Sequence, residues 1–444
     1  MMNKNSEELL SMRPIDIMIK LSVPAILGMI VIGLYPLMDG IFAGQILGQE
    51  EMTAIGIAMP FTFFNTGVST LIGVGSASVL SRALGKRDRE TIDKIMANLS
   101  FWVILFSLII TVIGLVFCEK MLALVGASGD ILNYASRYLK IIFVGSIFVN
   151  FTQAANMVMR GEGLMKKAML IMGTGALINI ILDPILMVSM GDYGIEGAAI
   201  ATITAQIIQA LVTLYYFKVK SQTVRIKGIR NEQAISKEVF GVGVSAMMMQ
   251  VLTIIQQSLL YSQAFKYGGD QAAAVMAVGL RIMAFSFIPI WGMSQGLQPA
   301  IGANYGAENY ERVRSIFKVF VVGSLVLAGV FWIPSEIFAK DMLMLFGIKG
   351  MTLTMGIPAF RIFYSIFILY GILIMVLTFF QAIGDGKTAG LLVMLKQIIL
   401  FVPLIFILPM VLGLNGIWLT IPLVDLLLVI ISIVKYRKKS ISMV

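Results

Sequence analysis

Long apolar stretches separated by short polar turns make up almost the whole chain. Twelve of them reach the length of about 20 residues that an α-helix needs to cross a bilayer. They are predicted at 15–43, 53–82, 95–117, 134–159, 167–190, 194–217, 238–265, 271–300, 314–335, 355–383, 388–411 and 414–434. The pattern therefore predicts an all-α integral membrane protein with twelve transmembrane helices.

Composition and charge agree with this interpretation and orient the chain. Of the 444 residues, 58% are hydrophobic and 13% are charged, which is too little charge to cover a soluble surface. With the N-terminus placed in the cytoplasm, 26 of the 34 Lys and Arg residues fall in inner segments and 6 in outer ones, as the positive-inside rule expects. Arg160 and Lys396 are counted among the inner residues. Both termini are thus predicted to be cytoplasmic, and the net charge of +10 needs no nucleic-acid partner.

The two halves of the sequence resemble each other. An offset of 221 residues aligns Gly75 with Gly296 and Gly85 with Gly306. Each half has six spans, so both halves start on the same side and form parallel repeats. Membrane proteins built from parallel repeats place their site between the halves. We therefore expect two six-helix lobes around a central cavity: an N-lobe of residues 1–217, a cytoplasmic linker at 218–237 and a C-lobe of residues 238–444.

Three of the 24 acidic residues fall inside predicted spans, where a carboxylate costs on the order of 2.5–3.5 kcal/mol. Asp183 lies one helical turn after Asn179 and directly before Pro184, which cannot donate a backbone hydrogen bond. This set is typical of a proton or hard-cation site, although a proline kink with mutually satisfied polar groups is the alternative. Asp39 reaches a similar depth, where Asp39-Gly40 is also compatible with a simple helix end.

The repeat provides an internal control for these two carboxylates. It aligns Asp39 with Leu260 and Asp183 with Val402, so the carboxylates do not belong to the shared scaffold. The third acid, Asp425, lies in the last span. We expect it to form a buried structural ion pair with Arg281, and a second proton site is the alternative.

Several classes of chemistry are excluded by residues that the chain lacks. It has no histidine and one cysteine, Cys118, so it can form no His-ligated metal site, no Ser–His–Asp triad and no internal disulfide. We expect no cofactor and no metal beyond a Na⁺ ion at Asp39, Asn179 and Asp183.

These features together resemble the multidrug and toxic compound extrusion (MATE) transporters, and most closely their DinF-like and MepA-like bacterial branch. The resemblance rests on Asp39 in the first span, on Asn179 and Asp183 in the fifth, and on the segments 160–163 (Arg-Gly-Glu-Gly) and 302–307 (Gly-Ala-Asn-Tyr-Gly-Ala). It covers essentially the whole chain.

The resemblance implies an antiporter that exports bulky, often cationic drugs in exchange for H⁺ or Na⁺ by alternating access. In that branch the cation site corresponds to Asp39, Asn179, Asp183 and, in the sixth span, Thr202. The residues implied to line the substrate cavity are Tyr35, Gln153 and Asn156. The NorM-like branch uses acids in the C-lobe instead, where this chain has Gln256 and Gln257, which favours coupling in the N-lobe.

Two other functions are weighed against export. A flippase for lipid-linked precursors would need a basic cavity, and a polytopic membrane enzyme would need catalytic groups that this sequence does not offer. We therefore predict a transporter rather than an enzyme. Its expected setting is a bacterial cell membrane, with small-molecule drugs and membrane lipid as partners and with the chain acting as a monomer.

Overall fold

Helices make up nearly all of the protein. The computed structural model describes residues 4–443, with side chains from residue 7 onward except those of residues 35–37, and no strand occurs in this part of the chain. The α-helices are α1 (Lys4–Ser11), α2 (Pro14–Phe42), α3 (Gln49–Lys86), α4 (Arg89–Leu124), α5 (Gly129–Val144), α6 (Ser146–Gly161), α7 (Met165–Ser189), α8 (Gly194–Tyr215), α9 (Gln233–Gly306), α10 (Tyr310–Ile337), α11 (Ala339–Leu345), α12 (Gly350–Tyr364), α13 (Phe367–Ala382), α14 (Gly386–Met394), α15 (Phe401–Leu412) and α16 (Leu414–Ile441). Short π-helical segments extend α2 (Ala43–Leu47) and α8 (Tyr216–Lys220) and join α14 to α15 (Leu395–Leu400), and a 3₁₀ turn at Gly191–Tyr193 precedes α8.

The predicted count of twelve spans is confirmed. Ten helical stretches of the described residues are long and apolar enough to cross a membrane, and α5 with α6, bent by 55°, makes one more. Helix α9 has 74 residues, about 110 Å at 1.5 Å per residue, and is therefore two crossings. It breaks at Gly269, whose φ of 62° and ψ of −158° are readily adopted only by glycine.

Each half of the chain has its own hydrophobic core. In the C-terminal half the core is rich in aromatic side chains, among them Phe360, Phe379 and Trp418, which are almost fully buried. The N-terminal half is packed around aliphatic residues such as Ile72 and Leu99. Separate cores allow the two halves to act as separate rigid bodies.

The halves meet through glycines that allow backbones to approach closely. A Cβ added to Gly75 on α3 would lie 2.1 Å from the carbonyl oxygen of Val239, and one added to Gly296 would lie 3.0 Å from Cβ of Leu21. The repeat aligns Gly75 with Gly296, and each packs on the first span of the opposite half. The contacts thus follow the two-fold relation that the sequence predicted, and they lie toward the end of the bundle where α3 ends and α9 begins. We call this end the closed end.

A segment that joins the halves is held against α4. Asn98 Oδ1 accepts hydrogen bonds from the backbone nitrogen of Glu232 (3.0 Å) and from Oγ of Ser236 (2.7 Å). The backbone nitrogen of Arg230 donates to the carbonyl of Ala97 at 3.2 Å. The connection between the halves is therefore attached to the N-terminal half rather than hanging free.

Candidate functional site

A polar cluster lies inside the N-terminal half, where α7 and α8 pack together. Asn179 and Asp183 stand one turn apart on α7, and both are buried. The side-chain nitrogen Nδ2 of Asn179 donates to Oδ1 of Asp183 at 3.1 Å and lies 3.3 Å from Oγ1 of Thr202 on α8. The structure therefore brings together three of the residues that the sequence singled out for a cation site.

Asp39 completes this cluster from α2. A side-chain hydrogen bond joins Asp183 to Asp39. Two carboxyl groups in such contact require a proton between them, since two ionised carboxylates only repel each other. Oδ1 of Asn179 is buried and has no hydrogen-bond partner among the described residues, so an oxygen ligand remains beside the carboxyl pair. The cluster has the chemistry to hold one proton or one small hard cation.

The sequence did not predict one neighbour of this pair. Tyr138 on α5 is buried, and its phenol interacts electrostatically with both Asp39 and Asp183. A lone tyrosine within an apolar span is common, so spacing along the chain carried no signal for it. Tyr35 lies on α2, and its side chain is outside the described residues.

A cavity of about 440 Å³ lies between the two halves. Its wall contains methionine, aromatic, aliphatic, glutamine and other small polar side chains together with one arginine. The lining residues are Met29, Ile32, Phe63, Thr70, Gln153, Asn156, Met157, Arg160, Met169, Met172, Ala246, Met249, Gln250, Thr253, Ile254, Gln257, Met283, Ala284, Phe287, Trp291, Gln295 and Tyr370. The wall includes Gln153 and Asn156, which the sequence placed there, whereas Asp39 and Asp183 are not among these residues.

Hydrogen bonds between the halves cross this cavity. Nη1 of Arg160, from α6, donates to Oε1 of Gln295 on α9 at 3.0 Å. Nε2 of Gln250 donates to Oγ1 of Thr66 at 2.9 Å and to the carbonyl of Phe63 at 3.0 Å. The lobes are therefore joined by polar contacts that can be exchanged, as well as by close packing at the glycines.

The predicted ion pair between Arg281 and Asp425 is wrong. Arg281 is exposed on α9, and Asp425 instead lies 2.8 Å from Nζ of Lys396. The same ammonium group lies 4.0 Å from the ring centroid of Tyr370. Lys396 was counted as an inner-loop residue, but it lies in the π-helical segment after α14 with its side chain buried. Depth along a helix does not determine which face a residue occupies, and that face decides the partner.

Arg160 was also counted as an inner-loop residue, and the structure places it elsewhere. It lies in the last turn of α6 with 7% of its surface exposed. Glu162, at the C-cap of that helix, is buried as well, whereas Asp385 at the corresponding turn of the other half caps α14 through the backbone nitrogen of Thr388. The two Gly-acid-Gly turns therefore differ in structure.

Comparison with known proteins agrees with this architecture. A family model described as MatE matches the chain twice, over residues 24–185 and 245–407, and the two matches begin 221 residues apart. The multidrug export protein MepA of Staphylococcus haemolyticus is 27% identical over 402 residues, which cover 90% of this chain and 88% of that protein.

Two solved structures are similar to the whole chain. A multidrug resistance MATE family transporter of the MOP superfamily in an outward-facing conformation superposes with a TM-score of 0.92 and 27% identity, covering 100% of this chain and 99% of the other. A MATE structure in the bent conformation superposes with a TM-score of 0.93 and 26% identity over the same shares.

Proposed function

The chain belongs to the MatE family of multidrug export transporters, and on that premise we propose that it exports small molecules in exchange for protons bound at Asp39 and Asp183. Its family places it among transporters and not among enzymes, as the sequence predicted. The proposal extends this membership to a coupling ion, a coupling site and a conformational mechanism.

The observation that carries the proposal is the hydrogen bond between the two carboxyl groups. A carboxyl–carboxyl hydrogen bond is itself a protonated state, which favours H⁺ over Na⁺ as the coupling ion. The repeat aligns the two aspartates with Leu260 and Val402, and Leu260 is fully buried. A duplicated scaffold with acids in one half is what an ion site added to one lobe would produce.

Coupling requires that the ion bind one conformation more tightly than the other. Helix α2 connects the two places where this difference would arise. It carries Asp39 near its end, and Ile26 in its middle packs against the backbone at Gly292 of α9, where a Cβ would lie 2.9 Å from Cα of Ile26. Loss of the proton would separate two like charges, displace the end of α2 and weaken its packing on the opposite lobe. We take the present arrangement, closed at the glycine contacts, as the outward-facing state, in line with the outward-facing structure that it resembles.

The expected setting follows from the same premise. We propose that the protein acts as a monomer in a bacterial cell membrane, with both termini in the cytoplasm and without a cofactor. A flippase for lipid-linked precursors is disfavoured, because the described cavity wall offers a single cation, Arg160, to hold a pyrophosphate. Thr202 and Asn179 remain candidate oxygen ligands should Na⁺ replace the proton.

Transport into proteoliposomes tests the coupling site. Inverted vesicles containing the purified protein are given a pH gradient or a Na⁺ gradient separately, and uptake of ethidium and of norfloxacin is followed by fluorescence. We expect the pH gradient alone to drive uptake and Asp183→Asn to abolish it, with Asp192→Asn, which changes an exposed acid beyond the end of α7, as the matched control. Size-exclusion profiles and thermal unfolding establish that each variant is folded. Wild-type uptake by Asp183→Asn under the pH gradient would refute the proposal, and uptake driven only by Na⁺ would refute the choice of ion.

A further inference from the structure

Arg160 occupies an unusual position at the wall of the central cavity. It lies in the last turn of α6, where the partial negative charge of the helix end favours a cation. Its side chain is more than nine-tenths buried, and Nε has no hydrogen-bond partner in the described part of the chain. Its contact across the cavity is with the neutral amide oxygen of Gln295, at 3.0 Å. A buried guanidinium with donors to spare is a group that can bind a ligand.

The charge of the cavity wall has one sign. Arg160 is the one residue with a formal charge among the described lining residues. The carboxyl pair of Asp39 and Asp183 lies inside the N-terminal half and does not line the cavity, and neither does the buried Glu162. A cation that faces an apolar cavity attracts an anionic ligand and repels a cationic one, and both effects are strong where water is scarce.

The rest of the wall determines what the anionic group is attached to. Phe287 packs on Trp291 and on Tyr370, with ring centroids 5.7 Å apart in each case, and six methionines line the remaining surface. Aromatic faces and flexible thioethers accept flat apolar bodies of varied shape. The cavity is thus complementary to an amphiphile with an aromatic body and one anionic end.

From these contacts we propose that Arg160 is a specificity-determining residue that binds the carboxylate of aromatic amphiphiles in the central cavity. The inference rests on the proposed export function and names its substrate class. Carboxylate-bearing and zwitterionic aromatic compounds are the favoured substrates, in contrast to the permanent cations expected from the sequence. A carboxylate forms shorter and stronger charge-assisted hydrogen bonds with a guanidinium than an amide oxygen does. It therefore displaces Gln295, and substrate binding breaks a hydrogen bond that joins the two lobes.

Equilibrium binding to the purified protein in nanodiscs, at neutral pH and without any gradient, tests this assignment. The probes are norfloxacin, its methyl ester, which differs only in lacking the carboxylate, and tetraphenylphosphonium, a permanent cation; quenching of the intrinsic tryptophan fluorescence reports binding. We expect the wild type to bind the acid about tenfold or more tightly than the ester. Arg160→Gln removes that preference and strengthens binding of tetraphenylphosphonium, whereas Arg160→Lys keeps part of it because the charge is retained.

A second variant protects the test against misfolding of Arg160→Gln. Gln295→Leu leaves Arg160 intact and removes its competing acceptor, so it should tighten binding of the acid and leave binding of the ester unchanged. An acid-to-ester ratio that is the same in wild type and Arg160→Gln, or a wild type that prefers tetraphenylphosphonium, overturns the proposal. The outcome is separate from that of the coupling experiment, since the binding ratio is measured without transport and is expected to persist in Asp183→Asn.

Discussion

Replacing Lys396 by methionine should destabilise the protein strongly, although it introduces an apolar side chain into an apolar lobe. The Lys396 ammonium lies 2.8 Å from Oδ1 of Asp425, and the exposed fractions of the two side chains are 14% and 7%. At an effective dielectric constant of 20, two unit charges at this distance attract each other by about 6 kcal/mol. Desolvation of the two ions costs several kcal/mol each and offsets most of this attraction.

The pair is therefore close to neutral for stability as a whole, whereas a single remaining charge is not. Removing one partner leaves an uncompensated buried charge and is expected to cost about 3–5 kcal/mol. Removing both, in Lys396→Met with Asp425→Asn, should restore stability to within about 1–2 kcal/mol of the wild type, since the buried amide then costs only its unmade hydrogen bonds. Asp425→Asn alone should be as destabilising as Lys396→Met alone.

The free energy of unfolding of the four proteins in mixed micelles, arranged as a double-mutant cycle, measures these differences. A Lys396→Met variant as stable as the wild type, or a double variant less stable than either single one, would show that the charges do not depend on each other. Proton-driven uptake by the double variant gives a further check. Loss of uptake by a folded double variant would contradict a purely structural role and favour the second proton site.

Two further predictions concern the contacts between the halves. Gly243→Leu should abolish transport without unfolding the protein, because even a Cβ at Gly243 would lie 1.8 Å from a carbonyl oxygen of α3; uptake at the wild-type rate would show that the close approach is not needed, and Gly241→Leu, at a glycine with nothing within 4 Å of its added Cβ, is the control. Asn98→Ala should release the connecting segment from α4, since Oδ1 accepts two hydrogen bonds, and cost about 1–3 kcal/mol. Faster proteolytic cleavage between residues 221 and 232 would support this, and an unchanged cleavage rate would contradict it.

Hydropathy, charge and repeated motifs were sufficient to predict the architecture. Twelve spans follow from the length of each apolar run, because a bilayer imposes its thickness on any helix that crosses it. The break in α9 occurs at Gly269, within the interval that the sequence left between the seventh and eighth spans. The repeat likewise anticipated that Gly75 and Gly296 have equivalent neighbours, since duplicated sequences fold into duplicated packing.

The polar cluster of Asn179 and Asp183 was also accessible from the sequence, because residues four apart on a helix are neighbours. The other contacts join residues far apart in the chain. Asp39 meets Asp183, Lys396 meets Asp425 in place of Arg281, and Tyr138 faces the carboxyl pair. None of these could be read from spacing, which fixes the depth of a side chain but leaves its rotation about the helix axis undetermined.

By itself, therefore, the sequence determined the fold, the family and the half of the molecule that carries the unusual carboxylates. The tertiary structure alone decided which charges meet and which face the cavity. Arg160 shows the difference most clearly: near the end of an apolar run it was indistinguishable from an orienting basic residue, and only the packing of the two lobes turned it into the one charge on the described wall of the cavity. The reason is physical, because a span is defined by its transfer from water, whereas the polarity of a site is defined by which helix faces are brought together.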